Sequence, residues 1–204
     1  GKESTNTMLT GFHNTADKVS NTTVIGSENT VTNSKNSLVM GDNREVKDAN
    51  HAVLIGSTDS KTTTSVNNAV AGGHNTNVTV EGGVALGSES KSTVAAGSVG
   101  YDPSTKAQST NTDSTWKATQ SAVSVGDVNN NISRQITSVA AGKKDTDAVN
   151  VAQLKKLQNQ VNATGSTTVS AGKHINVTTT TIGTTKDYKV SLSDDITNQI
   201  TNNT

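Results

Sequence analysis

The chain has 204 residues, in which 17 basic side chains balance 17 acidic ones and cysteine is absent. Disulfide frameworks and thiolate metal sites are thereby excluded, and zero net charge gives no global attraction to nucleic acid. Leu, Ile, Val and Phe number 39 against 80 Thr, Ser and Asn, too little apolar bulk for a conventional core to offset chain entropy. Two classes remain: a largely unfolded chain, or a repetitive β structure that recruits partner chains for its core.

No run of 18 apolar residues is present, so no helical membrane span is expected. The opening Gly1-Lys2-Glu3 has no signal-peptide pattern, and the chain reads as a piece of something longer. A single proline among 17 glycines excludes collagen.

From the start of the chain, short apolar runs ending in glycine recur. They are Met8-Leu9-Thr10-Gly11, Thr23-Val24-Ile25-Gly26, Leu38-Val39-Met40-Gly41, Val53-Leu54-Ile55-Gly56, Ala69-Val70-Ala71-Gly72 and Val84-Ala85-Leu86-Gly87. Taking Gly72 as the fifth corner, the period is 15 or 16 residues, with two further copies expected at Gly97 and Gly126. Polar turn residues fill each period, and Val31, Val46 and Val78 follow their glycines by five or six residues. A period of 15 with two short strands describes one coil of a β-solenoid, rising about 4.8 Å per coil. Apolarity at successive strand positions means that both faces are covered. One face fills the coil interior; self-association along the other is the economical cover.

Residues 98–121 break the period and hold Pro103, Trp116 and Tyr101, with a polar, loop-like stretch over Ser104–Thr115. Farther on, Thr146 or Asp147 is a good cap for a helix running from Ala148 through Leu157, with Leu154, Leu157 and Val161 at coiled-coil spacing and Gly165 as its end. Strand character is predicted at Thr167–Ser170, His174–Thr178 and Tyr188–Leu192. Ser193-Asp194-Asp195-Ile196 reads as the cap of a second helix.

Chemical sites are sparse. His13, His51, His74 and His174 have no metal-ligand spacing and read as solvated turn residues. Gly-x-Ser-x-Gly, the P-loop and Gly-x-Gly-x-x-Gly are absent. Gly26-Ser27, Gly56-Ser57 and Gly87-Ser88 recur too regularly to be a catalytic serine, and Asp194-Asp195 fits helix capping better than a cation site. The six Asn-x-Ser/Thr sequons are expected by chance in so Asn- and Thr-rich a chain. The chain reads as a non-enzyme without cofactor or metal. Tyr101, Lys106, Trp116 and Lys117 form a candidate ligand-binding loop, because exposed loop aromatics make binding anchors. Trp116 has a competing structural role as a plug beside the last coil.

The Val-Ile-Gly-Ser coils resemble the head of YadA-like trimeric autotransporter adhesins, and Ser121–Asp127 resembles that head's last coil. Arg134, Gln135, Ile136, Thr137, then Asp147, Asn150, Gln153 and Leu154 lie in a stretch similar to the family's neck motif. Residues 166–195, with Gly172-Lys173-His174-Ile175-Asn176-Val177, look like a small β-prism connector. The resemblance implies a mainly β fold: a trimeric left-handed parallel β-roll head over 1–127 with a long loop near 98–121. A neck at 128–151, a short coiled coil at 152–164, a β-prism-like connector at 165–193 and a new stalk helix at 194–204 follow. It makes these neck residues structural, and implies a homotrimer on the outer membrane surface of a Gram-negative bacterium, held by a C-terminal anchor outside this stretch. The expected function is attachment to host extracellular-matrix glycoproteins, such as fibronectin, collagen or laminin, or to cell receptors, with repetition around the trimer supplying avidity. The alternative is a monomeric Thr-rich solenoid of ice-binding type, which needs a Thr ladder at one fixed coil position. A carbohydrate-cleaving β-helix is disfavoured, because Glu28, Asp42 and Asp59 do not align in the repeat.

Overall fold

The computed structural model describes residues 3–164, 167–183 and 185–203. The chain divides into two compact units, Gly1–Ser138 and Val139–Thr204.

The first unit is a coil of short parallel strands. Among the described residues, one ladder stacks Thr5–Phe12, Ser20–Ser27, Leu38–Met40, Val53–Ile55, Val70–Gly72, Val84–Leu86 and Val123–Ser124. A second stacks Thr15–Asp17, Thr30–Thr32, Arg44–Lys47 and Thr62–Thr64, and Asn77–Val78 pairs with Lys91–Ser92. Each strand pairs with its counterpart one coil away, so chemically similar positions form columns.

The interior is narrow. Val24, Val39, Leu54, Ala71 and Ala85 form one buried column; Ala16, Val31, Val46, Thr64, Val78 and Ser92 lie on the opposite side. Among the described residues no aromatic ring is buried there, in keeping with a composition with 2% aromatics. Interior hydroxyls bind from coil to coil: Thr22 Oγ1 accepts from Ser37 N, and Ser37 Oγ accepts from Ala52 N at 3.1 Å. Left-handed backbone marks the corners, in the aligned set Asn6, Asn21, Asn36, His51 and Asn68 and again at His13, Glu28, Asn43, Asn75 and Glu89. Asn tolerates this conformation better than most residues. Its abundance is therefore partly a corner requirement.

The structure corrects the expected register in two places. Gly73, not Gly72, is the fifth corner: φ is +130° at Gly73, while Gly72 pairs with Ile55 and Leu86 inside the ladder. Gly97 closes no coil. Val84–Leu86 pairs directly with Val123–Ser124, and after Lys91–Ser92, which still pairs within the coil, the residues up to that strand form an insert. Gly97 N donates to Ala118 O and Gly100 N to Trp116 O, so the outgoing limb bonds to its own return limb. The insert's tip is an antiparallel pair, Tyr101–Asp102 with Ala107–Gln108, rather than a plain loop. The Thr ladder required for ice binding is interrupted, since Glu45 lies between Thr30 and Thr63, and Lys47 follows Asp17 and Thr32.

The second unit contains helix Val151–Thr164, the antiparallel hairpin Ile175–Ile182 with Thr185–Leu192, and helix Asp194–Asn202. The first helix starts three residues later than expected. Asn150 and Gln153 form a reciprocal capping pair: Gln153 N donates to Asn150 Oδ1 at 3.1 Å and Asn150 N to Gln153 Oε1 at 3.2 Å. Asp147, one of the expected caps, closes the preceding turn by accepting from Lys143 N and Lys144 N at 2.9 Å. Thr167–Ser170 joins no ladder. The expected helix end at Gly165 lies outside the described residues.

Candidate functional site

The surface with the clearest chemical character is an apolar stripe along the first ladder. Within each triplet the middle side chain points into the coil and its neighbours point outward, as strand alternation requires. Leu38, Val53, Val70 and Val84 make one outward column; Ile25, Met40, Ile55 and Leu86 make the other. Met40, Ile55 and Leu86 are 40–44% exposed in the single chain. At Gly72 the column lacks a side chain, and the Leu86 methyl leans towards the space, 3.4 Å from where a Cβ would stand.

The insert carries the four residues singled out as a ligand-binding loop. Tyr101 is 63% exposed at the base of the tip hairpin, and Lys106 occupies its turn at φ +57°. Trp116 and Lys117 lie on the return limb and are half-buried; Lys117 bridges Val99. Tyr101 and Lys106 are therefore free to meet a partner, whereas Lys117 is less open than expected. Asp102 is held below the ordinary carboxylate range first by the Ser104 hydroxyl and then by the Ser104 amide, which stiffens the turn.

The neck-motif residues divide between the two units. In the first, Arg134 Nη1 donates to Val125 O at 2.6 Å and to Ser90 Oγ at 3.1 Å, and Nη2 donates to Ser88 O at 2.5 Å. The side chain thus ties the last coils together, while Gln135, Ile136 and Thr137 are exposed. In the second, Gln153 bonds Gly142 through both ends of its amide at 3.0 Å, and Asn150 Nδ2 donates to Val139 O at 3.2 Å. Two backbone amides hold the Asp147 carboxyl below its usual range, that of Lys144 foremost. Leu154 and Leu157 are each 57% exposed and Val161 58%, an apolar seam that this helix alone leaves in water.

The histidines face polar neighbours rather than one another. His13 lies 2.8 Å from Glu28, His74 3.2 Å from Asp59 and His174 3.0 Å from Asp195, and His51 meets Asn36 in a corner column. Asp195 also accepts the Ser193 hydroxyl, the main cause of its lowered pKa, so its carboxylate is engaged in tethering the second helix.

A family model described as the coiled stalk of trimeric autotransporter adhesin matches residues 135–177. Over this stretch the chain is similar to the trimeric autotransporter adhesins. It is 49% identical over 82 residues to the autotransporter adhesin BadA of Bartonella henselae, and 50% identical over 86 residues to the trimeric autotransporter adhesin AtaA of Acinetobacter sp. (strain Tol 5). Each alignment covers 40% of this chain, but only 3% and 2% of the respective relative. These YadA-like stretches are thus small parts of very long proteins. The parallel coil of the first unit agrees with the β-roll expected of the family.

Sequence reasoning missed Arg44. It is fully buried although charged, among small side chains. The signal was available: Asn14 and Asn29 each stand three residues after a corner glycine, and Arg44 occupies the third place in that series.

Proposed function

We propose that this chain is part of a homotrimeric surface adhesin whose β-roll unit and helical seam each associate with two identical copies. The observation that carries the reading is the outward stripe of Leu38, Val53, Ile55, Val84 and Leu86, regular along the coil and unpaid for in one chain. Burying such a stripe against two copies removes apolar area from water at about 25 cal/mol per Å². The seam at Leu154, Leu157 and Val161 makes the same demand in the second unit.

The task of such a trimer is attachment to host matrix glycoproteins or cell receptors, without chemistry. The rigid coil presents identical contacts three times, so a weak single contact becomes firm by avidity. The exposed insert tip around Tyr101 and Lys106 is the proposed point of contact, and the cell surface of a Gram-negative bacterium the proposed location. The names of the relatives support the adhesive and trimeric parts of this reading.

Sedimentation equilibrium tests the assembly: a mass of three times 21.0 kDa that persists on dilution is expected, and a monomer mass overturns it. Binding of the purified chain to immobilised fibronectin, collagen and laminin tests the ligand class; absence of binding to all three and to host cells rejects attachment through this segment.

A further inference from the structure

The fourth coil is longer than its neighbours where the second ladder begins. Thr30 pairs with Glu45, fifteen residues on, but Glu45 pairs with Thr63, eighteen on. Residues 59–61 of the corner are exposed, and Thr62, the residue in register with Arg44, is only half-buried and donates its hydroxyl to Ser60 O, whereas Asn29 and Arg44 are fully buried. This coil buries Thr58 instead, whose hydroxyl donates back to Asp42 O and Asn43 O, so no side chain of this layer reaches ahead as Asn14 and Asn29 do.

Arg44 fills that layer. In the first coils, Asn14 Nδ2 donates to Gly26 O and Asn29 Nδ2 to Gly41 O, both at 2.6 Å, each reaching one coil ahead. Arg44 Nε makes the equivalent bond to Gly56 O at 2.7 Å. Its guanidinium then continues a second coil ahead, donating to Thr76 O at 2.5 Å, Thr76 Oγ1 at 3.0 Å and Gly73 O at 3.1 Å. The distance across two layers, about 9.6 Å at strand spacing, is beyond an asparagine and within reach of an extended arginine. The partners are carbonyls and a hydroxyl, which satisfy the planar donor fork without a carboxylate. Burial lowers the guanidinium pKa from its ordinary value, so these bonds offset a real desolvation cost.

We propose that Arg44 is an internal brace specific to the lengthened fourth coil, setting the register of the coils on either side so that corner residues 59–61 can project from the surface without breaking the stack. The outer side of the corner is fastened as well. Lys61 Nζ reaches back to Glu28 O at 2.7 Å and Asp59 N donates to Asn75 Oδ1 at 2.8 Å.

Arginine and corner are thus predicted to depend on each other, and a cycle of variants of the whole chain tests this by thermal melting under circular dichroism. Arg44→Asn alone is expected to lower the melting temperature by about 5–10 °C. Deleting residues 59–61 with Thr62→Asn restores the fifteen-residue spacing of the second ladder and brings Val53 and Val70 of the first to the 14 residues that already separate Val70 from Val84; with Arg44 kept, it overfills the interior and melts early. The two changes together rebuild a continuous Asn column and are expected to melt within a few degrees of the parent. Additive losses overturn the proposal. So does a parent-like melt of Arg44→Met, which keeps apolar bulk but no donors. Should Arg44→Asn fail to fold alone, recovery of folding in the combined variant supports the brace, and failure of that variant refutes it.

Discussion

At Gly56 the backbone has φ +116°, and a Cβ there would stand 2.5 Å from the carbonyl oxygen of Gly73. The corner is thus closed to side chains twice over, by conformation and by the coil above. Gly56→Ala should cost at least about 1–3 kcal/mol of backbone strain; an unchanged urea midpoint at fixed chain concentration would contradict this. Asp147 works through charge. Its folded pKa lies below its unfolded value, so its contribution is present above the unfolded pKa and is lost as pH falls through the folded one. Asp147→Asn should therefore melt below the parent at neutral pH, the difference closing in acid; a gap that persists below the folded pKa would assign the effect to something other than ionisation. The same scale explains why Arg44 went unread. Its place in the series Asn14, Asn29, Arg44 marked it as inward, but its partners Gly73 and Thr76 lie two coils ahead, beyond the next period.

Among the elements, the triplet strands were the most legible, because a continuous apolar run has few uses outside a doubly covered strand. What the residues left open was which position points inward: the middle side chain of each triplet is buried and the flanking pair forms the stripe. The shift of the fifth corner from Gly72 to Gly73 has the same cause. With two adjacent glycines the pattern fits either register, and pairing of Ala71 with Leu54 decides between them. The helix start also moved, since Thr146, Asp147 and Asn150 are all good caps by type and only Asn150 has Gln153 three residues on in bonding geometry. The exposed seam of this helix gives a direct expectation. Leu154→Asp would place a charge in each of three facing helices and should shift the sedimentation mass from three chains towards one; an unchanged mass would remove the seam from the interface.

For the whole molecule, the proposed contact at the insert tip predicts that folding and adhesion can be separated. The ladder passes from Val84–Leu86 to Val123–Ser124 without using the insert tip. Deleting Ser104–Thr115 should leave the melting temperature and mass unchanged while weakening binding to matrix proteins or cells. Loss of folding would show that the tip is structural, and unchanged binding would move the contact elsewhere. The sequence by itself determined the class of this protein. Scarcity of large apolar residues left an unfolded chain or a repetitive β structure, and fifteen-residue periodicity chose the stacked coil, since each constraint concerns composition or spacing along one dimension. The tertiary structure alone decided the register, the path of the insert and the interior arginine. Each depends on which residues meet across a coil boundary, and side chains 15 to 32 positions apart meet only after every intervening corner has closed.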